Sequence, residues 1–96
     1  MDDFTGFQRD LLYVIEGISD PHGLGIKDEI KKYYATEVHH GRLYPNLDAL
    51  VHKGFVSKEV LDRRKNTYVL TDRGERELEA RCDWENQYVR SMLAEA

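Results

Sequence analysis

Apolar side chains along this 96-residue chain recur at helical spacing in four stretches, with an interval rich in β-branched and aromatic residues between the third and the fourth. Phe4, Phe7, Leu11, Val14, Ile15 and Ile18 step by three and four, which puts them on one face of an amphipathic helix. Arg9, Asp10 and Glu16 fall elsewhere on it. Ser19-Asp20-Pro21-His22-Gly23 gathers turn formers, and proline disfavours helix at the residue before it, so the first helix ends there. A second, shorter helix is expected to turn Ile26, Ile30, Tyr33 and Tyr34 inward and Lys27, Asp28, Lys31 and Lys32 to water, stopping near Ala35.

Leu43, Leu47, Leu50 and Val51 mark a third helix that begins near Gly41 and is closed by Gly54 as a C-cap glycine. Pro45 then falls in the first turn, where the missing N–H has no partner to lose. Phe55 to Val60 and Thr67 to Leu70 read as two strands joined by the polar run Leu61-Asp62-Arg63-Arg64-Lys65-Asn66, a hairpin with a basic tip. Thr71 caps the last helix by accepting the N–H of Gly74, with Asp72 and Glu75 at its positive end. On that helix Leu78, Cys82, Trp84, Tyr88, Val89, Met92 and Leu93 cover about half the circumference, wide enough to bury two surfaces. One side packs on the first helix and the other on a second subunit.

The fold class expected from this order is mainly α with a small β-hairpin: a winged helix-turn-helix plus a C-terminal dimerisation helix. Residues 1–96 form a single domain, with 3–70 as the winged core and 71–95 as the dimerisation helix. A chain of this length buries only about two-thirds of its unfolded surface, so a partner subunit is a natural source of further stability.

Charge sharpens the picture. The formal net charge of −4 is distributed unevenly: residues 1–38 hold 4 basic and 8 acidic side chains, residues 39–66 hold 6 and 3, and residues 67–96 hold 4 and 7. The positive middle also carries His39, His40 and His52, so it can attract phosphate while the whole molecule resists indiscriminate adsorption. An acidic beginning without a basic flank, and the absence of an 18-residue apolar run, lead to the expectation of a soluble, cytoplasmic, nucleoid-associated protein with no membrane partner. Cys82 stands alone, and the spacing of His39, His40, His52 and Cys82 matches no zinc motif, so neither metal nor cofactor is expected. Ser19, Ser57 and Ser91 lie in no glycine elbow and no glycine-rich phosphate loop occurs, which argues against an enzyme.

Duplex DNA is the partner these features fit. In a winged helix-turn-helix the third helix enters the major groove, and its outward side here carries Gly41, Arg42, Pro45, Ala49 and His52, mostly small groups that permit close approach. Arg42 can reach guanine edges or phosphate, Tyr44 and Asn46 flank it as hydrogen-bonding groups, and the amides near His39, His40 and Gly41 present positive partial charge. Arg63, Arg64, Lys65 and Asn66 at the wing supply a grip on the backbone. The expected function is that of a sequence-specific transcription regulator, a homodimeric repressor at an inverted repeat. The competing reading is a winged-helix module that binds protein, since fold alone does not fix function.

The run Gly41-Arg42-Leu43-Tyr44-Pro45-Asn46-Leu47-Asp48-Ala49-Leu50, the following Gly54-Phe55-Val56, the Arg-Arg-Lys wing and Leu70-Thr71-Asp72-Arg73-Gly74 resemble the PadR family of transcription regulators, as does His22-Gly23. The Leu-Tyr-Pro step is the most specific part. The resemblance implies a dimeric repressor that dimerises through Leu78 to Leu93. Unlike longer relatives, the chain has one terminal helix and no room for an extended ligand-responsive region, so no small-molecule effector is assigned. Its acidic flanks are similar to those of proteins from salt-loving archaea.

Overall fold

Thr5 sets the start of helix α1 (Gly6–Gly17), two residues inside the apolar stripe. Its hydroxyl accepts the Gln8 N–H at 3.1 Å, and the Gln8 side-chain oxygen accepts the Thr5 N–H at 3.3 Å. This capping box satisfies two donors that helix geometry leaves over. The computed structural model describes residues 4–19, 21–62 and 65–95. After α1 come α2 (Gly23–Tyr34), α3 (His40–His52), the antiparallel strands β1 (Val56–Asp62) and β2 (Lys65–Leu70), and α4 (Asp72–Glu95). The architecture is the mainly helical winged helix-turn-helix that the apolar pattern predicts.

One core joins the elements. Leu11, Leu12 and Ile15 of α1 meet Ile26 and Ile30 of α2 and Leu43, Leu47 and Leu50 of α3, while Phe55, Val56, Tyr68 and Leu70 of the wing and Leu78 of α4 close it. Each such side chain contributes about 1.5–3 kcal/mol on leaving water. Tyr33 departs from the inward position expected of it and is 79% exposed. At the last turn of α2 it lines a groove of about 420 Å³ between α1 and α2, with Tyr13, Val14, Ile18 and Ile30, and its ring stands 5.7 Å from that of Tyr34.

Helix α3 begins at His40, which makes Pro45 its sixth residue and not part of the first turn. The carbonyl deprived of a donor is that of Gly41, whose exposure lets solvent satisfy it. The helix ends in a Schellman motif: Gly54, at φ 84°, donates to the Val51 carbonyl at 3.0 Å and Phe55 to that of Leu50 at 3.1 Å.

The hairpin is longer than its polarity suggests. The strands pair from Val56 with Leu70 through Val60 with Asn66 and Asp62 with Lys65, with an irregularity between Val60 and Asp62. Lys65 and Asn66 therefore stand in β2, not in a six-residue loop, because the backbone ladder continues past Val60 and outweighs local composition. His22, expected within a plain turn, bridges to Thr67, and the Tyr68 N–H donates to the Pro21 carbonyl at 2.8 Å. No helix among the described residues is long and apolar enough to cross a membrane.

Thr71 locks α4 to the end of α3. Its hydroxyl accepts the Gly74 N–H at 3.1 Å and donates to the Gly54 carbonyl at 2.7 Å, while its own N–H donates to the Phe55 carbonyl at 3.1 Å. A Cβ on Gly74 would lie 3.1 Å from the Phe55 carbonyl carbon and nearer still to its oxygen. Gly74→Ala must therefore push α4 off the backbone of Phe55, and a loss of about 1–3 kcal/mol is expected. Urea unfolding measures it, and an unchanged midpoint would show that the junction has slack.

Candidate nucleic-acid interface

Helix α3 is gripped along both flanks. On the α1 side, buried Gln8 donates from Nε2 to Asn46 Oδ1 at 3.0 Å and accepts on Oε1 from Lys53 Nζ at 3.4 Å. Asn46 Nδ2 in turn donates to the Arg42 carbonyl at 2.7 Å. Both polar atoms of Asn46 are thus engaged within the subunit. The Arg42 guanidinium lies over the Phe7 ring at 4.0 Å and 5.8 Å from the Tyr34 ring. Tyr34 is fixed in turn by its hydroxyl, which donates to Asp10 at 2.6 Å. Burial and the Asp10 carboxylate push that phenol up to about 12, so it stays a donor at neutral pH.

The other flank is held by Tyr44. Its ring lies against the start of α2, so close that a Cβ on Gly23 would fall 2.9 Å from Tyr44 Cε1. The pairing of His22-Gly23 with Leu-Tyr-Pro has a steric cause: the tyrosine occupies the space a side chain at Gly23 would need. His40 stacks on Tyr44 with ring centroids 5.4 Å apart, and Lys27 Nζ of α2 stands 3.4 Å from His40 Nε2.

What remains outward is the surface opposite Leu43, Leu47 and Leu50. His39, His40, Gly41, Pro45, Asp48 and His52 are exposed there, Arg42 is exposed toward the α1 side, and around Gly41 nothing lies within 4 Å of where a Cβ would stand. Asp48 is not among the site residues that the sequence singles out. It faces Lys58 of β1, Nζ to Oδ1 3.8 Å, and its helix position three after Pro45 and four before His52 was the available signal. Gln8, Phe7 and Tyr34 were also missed as partners of α3. The Thr5-x-x-Gln8 spacing announced the capping box, but no local pattern announces the reach to Asn46.

In the wing, Lys65 and Asn66 are half-buried in β2, and Arg63 and Arg64 lie outside the described residues. On α4, Leu78 is 6% exposed within the subunit's own core, and half-buried Cys82 has its sulfur 3.4 Å from the Tyr13 hydroxyl on α1. Those two side chains face inward. Trp84, Tyr88 and Met92 are 49%, 67% and 62% exposed; Val89 is half-buried, and the Leu93 side chain lies outside the described residues.

The comparisons agree with this geometry. Residues 11–80 match the Transcriptional regulator PadR-like family. RosR of H. salinarum, in a crystal grown from NaBr, is 40% identical with a TM-score of 0.85 over 97% of this chain and 93% of that chain. The hsRosR-S1 complex is 39% identical with a TM-score of 0.85 over 98% and 92%. F93 from STIV, a winged-helix DNA-binding protein, is 26% identical with a TM-score of 0.65 over 86% and 89%. No curated protein sequence matches. With more than half of its length matched, the chain belongs to the PadR-like family of transcriptional regulators.

Proposed function

We propose that the protein is a sequence-specific DNA-binding regulator, a homodimeric repressor that places the outer face of α3 in the major groove and the wing on the adjacent backbone. The observation that carries this reading is the outer face itself: both flanks of the helix are clamped internally, while Gly41, Pro45 and His52 are exposed, with Lys27 beside the start of the helix and Lys58 beside its middle. Small outward groups let a helix sit deep in the groove, and the surrounding cations meet phosphate. The DNA-binding description of F93 and the likeness to RosR point the same way.

The exposed Trp84, Tyr88 and Met92 supply the dimer face. A contiguous aromatic surface of this kind on a small monomer marks an association site, and a two-fold pair of α3 helices would meet successive grooves about 34 Å apart, hence an inverted repeat. Occupying a promoter would exclude the transcription machinery. The working place of such a regulator is the cytoplasm, on the nucleoid, and the role is that of a binder and not an enzyme.

Arg42 is a positioning residue in this reading, because its charge is already stacked on Phe7. Arg42→Ala is expected to lower stability by about 0.5–1 kcal/mol in urea unfolding and to weaken all duplexes alike; a loss confined to one preferred sequence would make it a base reader instead. Fluorescence anisotropy on labelled duplexes should show affinity falling steeply with salt, and replacing Arg63, Arg64 and Lys65 together should flatten the slope by about 0.9 for each phosphate no longer neutralised. Binding indifferent to salt would refute the phosphate grip. Changing Trp84, Tyr88 and Met92 to serine should yield monomers in light scattering, with a persistent dimer placing the interface elsewhere.

A further inference from the structure

Asp48 is an unexpected group on a surface meant for a polyanion. Its side chain is 63% exposed at the centre of the outer face of α3, one turn from both Pro45 and His52. The fold gains little from it there. Its ion pair with Lys58 spans 3.8 Å between side chains 63% and 33% exposed, a contact of the kind that contributes little to stability. Mid-helix, it gains nothing from the helix dipole, whose effect is confined to the terminal turns. Close to phosphates, an uncompensated carboxylate repels.

Two features of the surroundings give that carboxylate a use. Aspartate is short, so it can touch a base edge only where the helix backbone comes close to the floor of the groove. Gly41, with open space where a side chain would stand, and Pro45 and Ala49 beside Asp48 permit that approach. In the major groove a carboxylate, which can only accept hydrogen bonds, can pair with the N4 amino group of cytosine or the N6 amino group of adenine, and cytosine is preferred because the acceptor N7 of adenine stands beside N6 and repels the second carboxylate oxygen. Lys58 answers the remaining difficulty. Standing on wing strand β1 beside α3, it faces Asp48 in the free protein and can turn to a phosphate when the helix docks.

Resting on the DNA-binding reading above, we infer that Asp48 determines specificity, accepting a hydrogen bond from cytosine N4 in each half-site, with Lys58 as its counter-ion in the unbound protein. Guanine and thymine at that position leave the carboxylate facing acceptors or a methyl group, and adenine sets its N7 acceptor beside the N6 donor, so wrong sequences are rejected more strongly than the right one is held.

The test is selection from a random-sequence duplex library with the full-length protein, its Asp48→Asn variant and its Asp48→Ala variant. Circular dichroism melting controls for folding, and an exposed position predicts little change. The wild type should enrich a motif with one invariant C·G pair per half-site. Asp48→Asn should turn that pair to A·T, since asparagine fits adenine N6 and N7, and Asp48→Ala should leave it unspecified. On duplexes lacking the motif, Asp48→Ala should bind tighter than wild type, cutting the preference for the selected sequence by about tenfold. Identical motifs from wild type and both variants would overturn the inference and leave the DNA-binding reading intact. If the wild type retained every duplex equally, specificity itself would be absent and the inference wrong. If it retained none at any salt concentration, the DNA-binding reading would fall, and the inference with it.

Discussion

The buried amide of Gln8 ties the start of one helix to the side of another. Its oxygen accepts both the Thr5 N–H that opens α1 and the Lys53 ammonium at the end of α3, while its nitrogen donates to Asn46 in the middle of α3. An amide oxygen has two lone pairs, and here both are used. A neutral polar group buried in this way costs about 1–3 kcal/mol when its partners are removed, so the two helices it joins are held in one relative orientation. Phe7, next to it in the chain, carries the Arg42 guanidinium on its ring and so holds α3 one turn nearer its start. On the opposite flank, the Tyr44 ring fills the space beside Gly23. A helix restrained from both sides needs nothing from its outer face, and that freedom lets the outer face be composed for another molecule.

The same logic governs the far end of the domain. Thr71 joins the carbonyls of Gly54 and Phe55 to the first turn of α4, and Gly74 lets that turn rest on the backbone. Arg73 adds a donor to the Lys53 carbonyl at 3.2 Å and stacks on Phe55, whose ring meets Phe4 edge-on. Helix α4 therefore leaves the core in a fixed direction. Its first half contributes Leu78 to the core and brings Cys82 against Tyr13; beyond them the helix outruns the body, and its aromatic side chains face water. In the dimer proposed above, such a rigid exit would let α4 set the distance between the two copies.

The number, order and type of the elements were legible in the sequence, because periodicity of 3.6 or 2 and the capping residues act within a few positions of one another. What local pattern could not reveal was everything decided between elements. Tyr33 shares the azimuth of Ile26 and Ile30, yet at the end of α2 it meets only the edge of a groove and the ring of Tyr34 and stays exposed. The polar run after Val60 looked like a loop because composition does not show the ladder that pairs Asp62 with Lys65. Arg42 is exposed, as the helical wheel predicts, and Tyr44 and Asn46 only partly so; the wheel gives direction about one axis and says nothing of Phe7, Gln8 or Gly23, contributed by α1 and α2. Asp48 was overlooked for a different reason. A search for cations passes over an acid, although a reading surface needs groups that discriminate as well as groups that attract.

That distinction bears on why the chain is acidic overall. Cations bind any duplex, and a genome offers vast numbers of wrong sites, so the useful quantity is the ratio between right and wrong affinities. A net charge of −4, with the positive stretch confined to residues 39–66, limits binding everywhere except where α3 and the wing are seated together. An acid within the reading face extends the same economy to the scale of one base pair. It weakens contact with any sequence that sets an acceptor or a methyl group against it, while Lys58 keeps it compensated until the helix docks. In a small domain with few side chains available for base contact, raising the penalty for a wrong sequence is a more accessible route to selectivity than adding attraction for the right one.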